Sequence, residues 1–337
     1  MNAIDRLIEK IRTGQPIPAP VAALLTAATP ITQLGMWLRR RRPRVRVSAR
    51  VISFGNITAG GTGKTPAVIE RARLEIAAGH AVGILTRGYG HTREVAPIVI
   101  ARGEEAARMG DVIGDEPALI ALKAPEAIIA RAVDRVAAAR ELVDAHNCDT
   151  LILDDGFQYV QLERDENIAV VDATNPFGNE RLVPRGILRE PVEALARATH
   201  IILTRCDQAR DLDGLLHHVK SICPGVAIRE TYHAPVRLRR LCDGETMTLE
   251  RLKEEPIMAA CAIGNPESFL QTLKGLGAIP SLLFTTRDHG PLPLDTIPSD
   301  AMLIVTEKDA ARIGRAPKHV WALEIELKDY RSRSIPR

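Results

Sequence analysis

Residues 51–65, Val-Ile-Ser-Phe-Gly-Asn-Ile-Thr-Ala-Gly-Gly-Thr-Gly-Lys-Thr, restrict the fold more than any other part of the chain. The first of them are apolar and β-prone, and the middle is rich in glycine. Lys64-Thr65-Pro66 then opens a segment, 67–78, whose apolar residues recur at helical spacing. Strand, glycine turn and helix in that order make a phosphate-binding loop. Backbone N–H groups turn inward onto phosphate oxygens, the helix start adds partial positive charge, and a lysine neutralises the β- and γ-phosphates. The candidate nucleotide-binding residues are Thr58, Ala59, Gly60, Gly61, Thr62, Gly63, Lys64 and Thr65, with Thr65 also a ligand for magnesium. The strict pattern asks for glycine where Thr58 stands, and a glycine-rich turn that binds no nucleotide is the alternative.

A chain of 337 residues is long enough for two domains, each with its own core. Its 45 basic and 42 acidic residues leave a net charge of +3, and aromatic residues make up 3%. Neither value suits a surface that holds nucleic acid, which needs basic charge and stacking rings. Five scattered cysteines with no Cys-x-x-Cys pair argue for a reducing compartment and against a disulfide or zinc framework.

Residues 1–46 read as an N-terminal arm. An amphipathic helix with Ile4, Leu7, Ile8 and Ile11 on one face is followed by an uncharged stretch, 14–38, and then by Arg39, Arg40, Arg41, Arg42, Arg44 and Arg46. The stretch has the length of a membrane span, but Pro16, Pro18, Pro20, Pro30 and Gly35 argue against one continuous spanning helix. Two readings stay open. The arm packs on the body with a solvated basic edge, or it lies in a membrane interface with its arginines on anionic headgroups.

From residue 47 to about 228, apolar runs at 81–86, 97–100, 127–129, 150–153, 168–171 and 201–203 alternate with helical patterns. That alternation predicts an α/β fold, a P-loop kinase-type parallel sheet with helices on both faces and ligands at the carboxyl ends of its strands. A boundary near 225–240 introduces a second, smaller α/β domain over 229–337. Its expected strands lie at 257–263, 282–284, 302–306 and 320–327, and its expected helices at 266–276 and 308–313.

The chemistry-bearing residues cluster at strand ends. Asp154-Asp155 follows an apolar strand, where a kinase places magnesium-binding carboxylates; a turn or cap is the alternative. Asp115, before a helical segment, reads equally as N-cap or catalytic acid. Arg87 and Tyr89 fall in an Arg-Gly-Tyr-Gly turn, and Arg185, Arg189 and Glu190 in a loop where arginine grips phosphate or simply meets solvent. His289 gains a role only if the second domain closes over the first. Thr204-Arg205-Cys206-Asp207 matches weakly the guanine-reading motif of GTPases, with Arg in place of Lys.

Taken together, the chain resembles the tetraacyldisaccharide 4′-kinases of lipid A synthesis. The matching stretches are 55–66, Thr86-Arg87-Gly88-Tyr89-Gly90, Gly114-Asp115-Glu116-Pro117, Leu153-Asp154-Asp155-Gly156-Phe157-Gln158, 178–191, Gly264-Asn265-Pro266, Asp288-His289 and Thr306-Glu307-Lys308-Asp309. They lie in order over most of the chain, and the family too carries Thr at the position of Thr58. The resemblance implies ATP- and Mg²⁺-dependent phosphorylation of the 4′-hydroxyl of a tetraacylated glucosamine disaccharide 1-phosphate. It further implies two α/β domains joined by a strand linker, and peripheral attachment of the arm to the cytoplasmic face of a bacterial inner membrane.

Carried over by motif, Lys64 and Thr65 serve phosphate and magnesium, and Asp154 and Asp155 the metal. Asp115 is the base, helped by His289, while Arg87, Tyr89, Arg189 and Glu190 position phosphate or sugar. Tyr159 and Gly290 stand where the family commonly has histidine. No protein partner is evident. The rival readings are a GTPase-like switch, with residues 204–207 reading the base, and a soluble small-molecule kinase.

Overall fold

The computed structural model describes residues 3–87, 98–286, 290, 292, 294, 297–298, 301–313 and 316–331. Two helices, α1 (Ala3–Arg12) and α2 (Ala19–Arg40), precede the first strand, β1 (Arg50–Gly55), whose last five residues are all buried. Burial on both faces is what a continuous apolar run permits in a parallel sheet. Next come α3 (Lys64–Ala77), β2 (Val82–Thr86), β3 (Ile98–Arg102), α4 (Gly103–Arg108), α5 (Gly110–Ile113), α6 (Asp115–Lys123) and β4 (Ile128–Ala132). The chain continues through α7 (Arg135–Asp144), β5 (Thr150–Leu153), β6 (Glu166–Asp172), β7 (His200–Thr204), α8 (Leu212–Ile222) and β8 (Ala227–Arg240). The remainder is β9 (Thr246–Met247), β10 (Ile257–Cys261), α9 (Pro266–Gly275), β11 (Leu283–Thr285), β12 (Met302–Thr306), α10 (Glu307–Ala310) and β13 (Val320–Asp329).

Among the described residues these strands form one sheet, ordered β11-β10-β12-β13-β8-β7-β6-β1-β5-β2-β4-β3, with β9 against β8. Side chains alternate across it. Ile52, Phe54, Ile84 and Ile152 pack under Ala67, Val68 and Ala72 of α3 and Ile120 of α6. Val51, Leu85, Leu151 and Leu153 face Ala138 and Leu142 of α7 on the other side. The mostly parallel α/β architecture agrees with the expected fold class, with three antiparallel pairs as the differences. The edge strand β3 is antiparallel to β4, and both β13 and β9 are antiparallel to β8.

The boundary expected near 225–240 is occupied by one long strand, β8, which begins at Ala227. Residues 227–230 of β8 pair with β7, while Thr231 to Arg240 pair with β13, so one strand serves both ends of the sheet. The helix expected over 308–313 is one turn, α10, capped by the Thr306 hydroxyl accepting from the Asp309 N–H.

The expectation that prolines interrupt the arm is corrected: α2 runs unbroken through Pro30. A proline removes one backbone donor and crowds the preceding turn. Here Ala22, Ala23, Ala27 and Ala28 supply strong helix propensity on its N-terminal side. By length and composition α2 is long and apolar enough to cross a membrane, and none of it is buried. Leu24, Ile31, Leu34, Trp37 and Leu38 stand exposed on it. Its anchors to the body are polar: Thr32 Oγ1 donates to Val183 O at 2.9 Å, and Arg40 pairs with Glu190.

Candidate functional site

The loop between β1 and α3 is held from behind on several sides. Asn56 Nδ2 donates to Thr58 O at 2.9 Å and Gln158 Nε2 to Asn56 O at 2.8 Å. The Ala59 N–H reaches Ile187 O at 2.6 Å. Thr58, buried, bridges in extended fashion to Leu188, a position that has no need of glycine. Gly63 does need to be glycine. Its φ of 76° lies in the left-handed region, and a Cβ there would sit 2.7 Å from the His233 ring. Burial and the nearby Arg205 push the His233 imidazole down to about 3, so this contact is with a neutral ring at physiological pH.

Thr204 and Arg205 do not lie ready to read a base, which corrects that expectation. Thr204 Oγ1 donates to Thr62 O at 2.8 Å, and Arg205, ion-paired with buried Asp172, donates to Gly61 O at 3.3 Å. Two adjacent residues therefore hold two loop carbonyls, and one of them, Arg205, also lines the cavity.

Lys64, the first residue of α3, lies with Nζ 3.2 Å from Asn56 Oδ1 and 3.4 Å from Asp155 Oδ1. Asp155 has φ 52°, unusual for a residue with a side chain. The buried Arg135 donates to the carbonyls of Asp154 and Asp155 at 3.2 and 3.1 Å, which fixes this turn. Burial raises the proton affinity of Asp155, but Lys64 and then Arg189, whose Nη1 donates to it at 2.8 Å, outweigh burial and hold the carboxyl well below its usual range. Asp154 behaves in the opposite way. Burial first, then repulsion from Glu116, pushes it up to about 7, and its Oδ1 is buried with no hydrogen-bond partner.

The opposite wall is α6. Gly114, at φ 102°, turns the chain so that Asp115 and Glu116 open the helix toward the cavity. Both acids meet the C-terminal part of the chain: Arg312 Nε lies 3.3 Å from Asp115 Oδ2, and Lys308 Nζ lies 3.1 Å from Glu116 Oε1. At the far end of α6, Lys123 sits between Glu307 and Glu324, 3.0 Å from the latter.

Gly60 to Thr65, Arg87, Asp115, Asp154, Asp155 and Arg189 all line one cavity of about 1240 Å³. Thr58 and Ala59 shape the loop without lining it. Glu190, expected to touch substrate, is instead fully buried behind the site, where Arg40 of α2 and Arg197 Nη2, at 2.7 Å, neutralise it. Neighbours on an irregular loop point opposite ways, so Arg189 enters the cavity and Glu190 leaves it. Tyr89 and His289 lie outside the described residues.

Asn56, Glu116, Arg135, Gln158, His233, Lys308 and Arg312 join the site beyond the residues expected from the sequence. Asn56, Glu116, Gln158 and Lys308 stood inside matched motifs and were legible there. Arg135 and Arg312 carry no local signal.

Residues 17–334 match the family model of the tetraacyldisaccharide-1-P 4′-kinases. A tetraacyldisaccharide 4′-kinase of Anaeromyxobacter dehalogenans is 38% identical over 332 residues, covering 94% of this chain and 87% of its own. That of a Jannaschia species is 37% identical, covering 93% of each chain. The crystal structure of LpxK from Aquifex aeolicus in complex with ATP superposes with a TM-score of 0.73 at 25% identity, over 93% of this chain and 95% of that one. With residues 17–334 matching the family model and these relatives covered over most of their length, the chain belongs to the tetraacyldisaccharide-1-P 4′-kinase family.

Proposed function

We propose that this kinase moves the γ-phosphoryl group of ATP onto the 4′-hydroxyl of a tetraacylated glucosamine disaccharide 1-phosphate within the cavity between the phosphate loop and α6. The observation that carries the reading is the convergence of Lys64, the Asp154-Asp155 pair and Asp115 on that one cavity. The loop N–H groups and Lys64 receive the phosphates, and Arg189 and Arg87 add positive charge for the terminal phosphoryl oxygens. Asp115, its orientation held by Arg312, accepts the hydroxyl proton as the new oxygen–phosphorus bond forms. The bond between the γ-phosphorus and the β–γ bridging oxygen breaks, and ADP departs. His289 assists Asp115 in this scheme, and Tyr89 positions phosphate or sugar.

Thr65, Asp154 and Asp155 suit Mg²⁺. The buried, unpartnered oxygen of Asp154, crowded by Glu116, is a carboxylate that gains from a hard cation. When bound, Mg²⁺ neutralises phosphate charge and aligns the terminal phosphate. The exposed apolar side chains of α2 and the arginines after it, with Arg41 stacked 3.7 Å over Trp37, support a peripheral seat on the cytoplasmic face of an inner membrane.

The test is transfer of labelled phosphate from ATP to the acylated disaccharide. Asp115→Asn is expected to lower kcat by roughly 10²–10⁴-fold with ATP binding retained, whereas Lys64→Ala loses both. Full turnover in Asp115→Asn removes it as the base.

A further inference from the structure

Through Arg12 at the end of α1, the arm reaches the loops beside the phosphate loop. Asn175 Nδ2, from the loop after β6, donates to Arg12 O at 2.9 Å, and the Arg12 guanidinium donates to Gly264 O in the loop after β10. Gly264 in turn abuts the phosphate loop: a Cβ on Gly61 would lie 4.0 Å from the Gly264 N. The next residue, Asn265, ties that loop to the other side of the cleft. Its Nδ2 lies 3.2 Å from Thr174 Oγ1 and 3.5 Å from Asp172 Oδ2, and Asp172 is the partner of the Arg205 that holds Gly61 O. The polar contacts therefore run unbroken from the arm, across the cleft, to the back of the phosphate loop.

We propose that Arg12 is a positioning residue for ATP: by holding residues 264–265 against the phosphate loop it fixes the wall opposite Gly61, so the seating of the arm sets nucleotide affinity. The proposal rests on the phosphate loop being the ATP site. Arg12 touches neither phosphate nor sugar, and its effect belongs in binding and not in the chemical step. Its other partner is Glu9, on its own helix at 2.7 and 2.9 Å, which gives a control that disturbs the same side chain without disturbing the cleft.

The experiment measures the Kd of a fluorescent ATP analogue, and KM for ATP with kcat, on the full chain. Arg12→Ala is expected to weaken ATP roughly five- to tenfold, the scale of one ordinary hydrogen bond, because Arg12 acts through residues 264–265, with kcat at saturating ATP and Tm unchanged. Arg12→Lys restores part of the affinity, and Glu9→Gln leaves it at the wild-type value. Asn265→Asp keeps an oxygen to cap α9, where Asn265 Oδ1 accepts from the Ser268 N–H, but removes the donor to Thr174 and Asp172 and sets a second carboxylate beside Asp172. It is expected to weaken ATP similarly, and the double variant Arg12→Ala/Asn265→Asp to fall no further than the weaker-binding single.

Wild-type ATP affinity in Arg12→Ala overturns the proposal, and so does full additivity in the double variant. So does a fall in kcat and Tm with ATP affinity intact. A wild-type chain that binds no ATP analogue defeats the nucleotide reading of the loop itself, a separate failure.

Discussion

Asp154→Asn tests the electrostatics of the site most directly. In the folded protein the Asp154 carboxyl is pushed from 3.8 to about 7, by burial and then by Glu116, while in the unfolded chain it returns to its ordinary value. The group is an acid with a raised folded pKa, so its ionisation works against folding. The penalty is absent below about pH 4, grows as the pH rises, and is complete above about pH 7. At roughly 1.4 kcal/mol per pK unit, the ionised carboxylate destabilises the metal-free protein by about 4 kcal/mol at pH 8.

Asparagine keeps the shape and cannot ionise. In thermal and urea unfolding between pH 4 and pH 8.5 without divalent cations, Asp154→Asn is therefore expected to match wild type at the acid end and exceed it at the alkaline end. With Mg²⁺ and nucleotide the order reverses, because wild type gains a ligand that the variant lacks. Wild-type Mg²⁺ affinity should fall by up to about tenfold per pH unit below pH 7, as one proton competes for the carboxylate. Equal pH slopes for the two metal-free proteins, or no alkaline gain in the variant, would refute this account of Asp154.

Gly63→Ala places a side chain at a left-handed φ and against the His233 ring, so a loss of at least about 1–2 kcal/mol is expected from backbone strain alone. Adding His233→Ala should restore the steric part, and a Gly63→Ala protein with wild-type Tm would contradict the geometry. Glu190→Gln leaves Arg40 and Arg197 without their shared counter-charge. Because both arginines are partly exposed, a loss nearer about 1–3 kcal/mol than the full value for a buried pair is expected, read as Tm. Leu34→Asp/Leu38→Asp puts two charges on the exposed face of α2 and should reduce flotation with anionic vesicles by at least about tenfold, since each apolar side chain contributes roughly 1.5–3 kcal/mol on burial. Undiminished flotation would show that this face does not meet the bilayer.

The parts of the molecule that were legible in advance are those where local pattern and final environment agree. The loop 58–65 needs glycines, a lysine and a flanking strand and helix whatever surrounds it, and the doubly buried strands advertise themselves as unbroken apolar runs. Asp154 and Asp155 were recognisable because a strand had just ended. What escaped were contacts made by residues whose partners are far away in the chain. Arg135 looks like one charge on an alanine-rich helix, yet it is buried and holds the turn at residues 154–155. Arg312 sits in a stretch with no motif and meets Asp115 only because the C-terminal strands fold back beside α6. Pro30 misled in the other direction: a rule about single residues lost to the propensity of the alanines before it.

Leu327, on β13, belongs to the same core as Ile52 and Val170, which lie far earlier in the chain. It also packs β13 against α3, the helix that begins with Lys64. A chain made from its N-terminus at roughly 5–20 residues per second therefore emerges from the ribosome with its ATP-binding half still missing a piece. The earlier-made part waits for the later, and a stop codon at or before residue 327 leaves the helix behind the nucleotide uncovered.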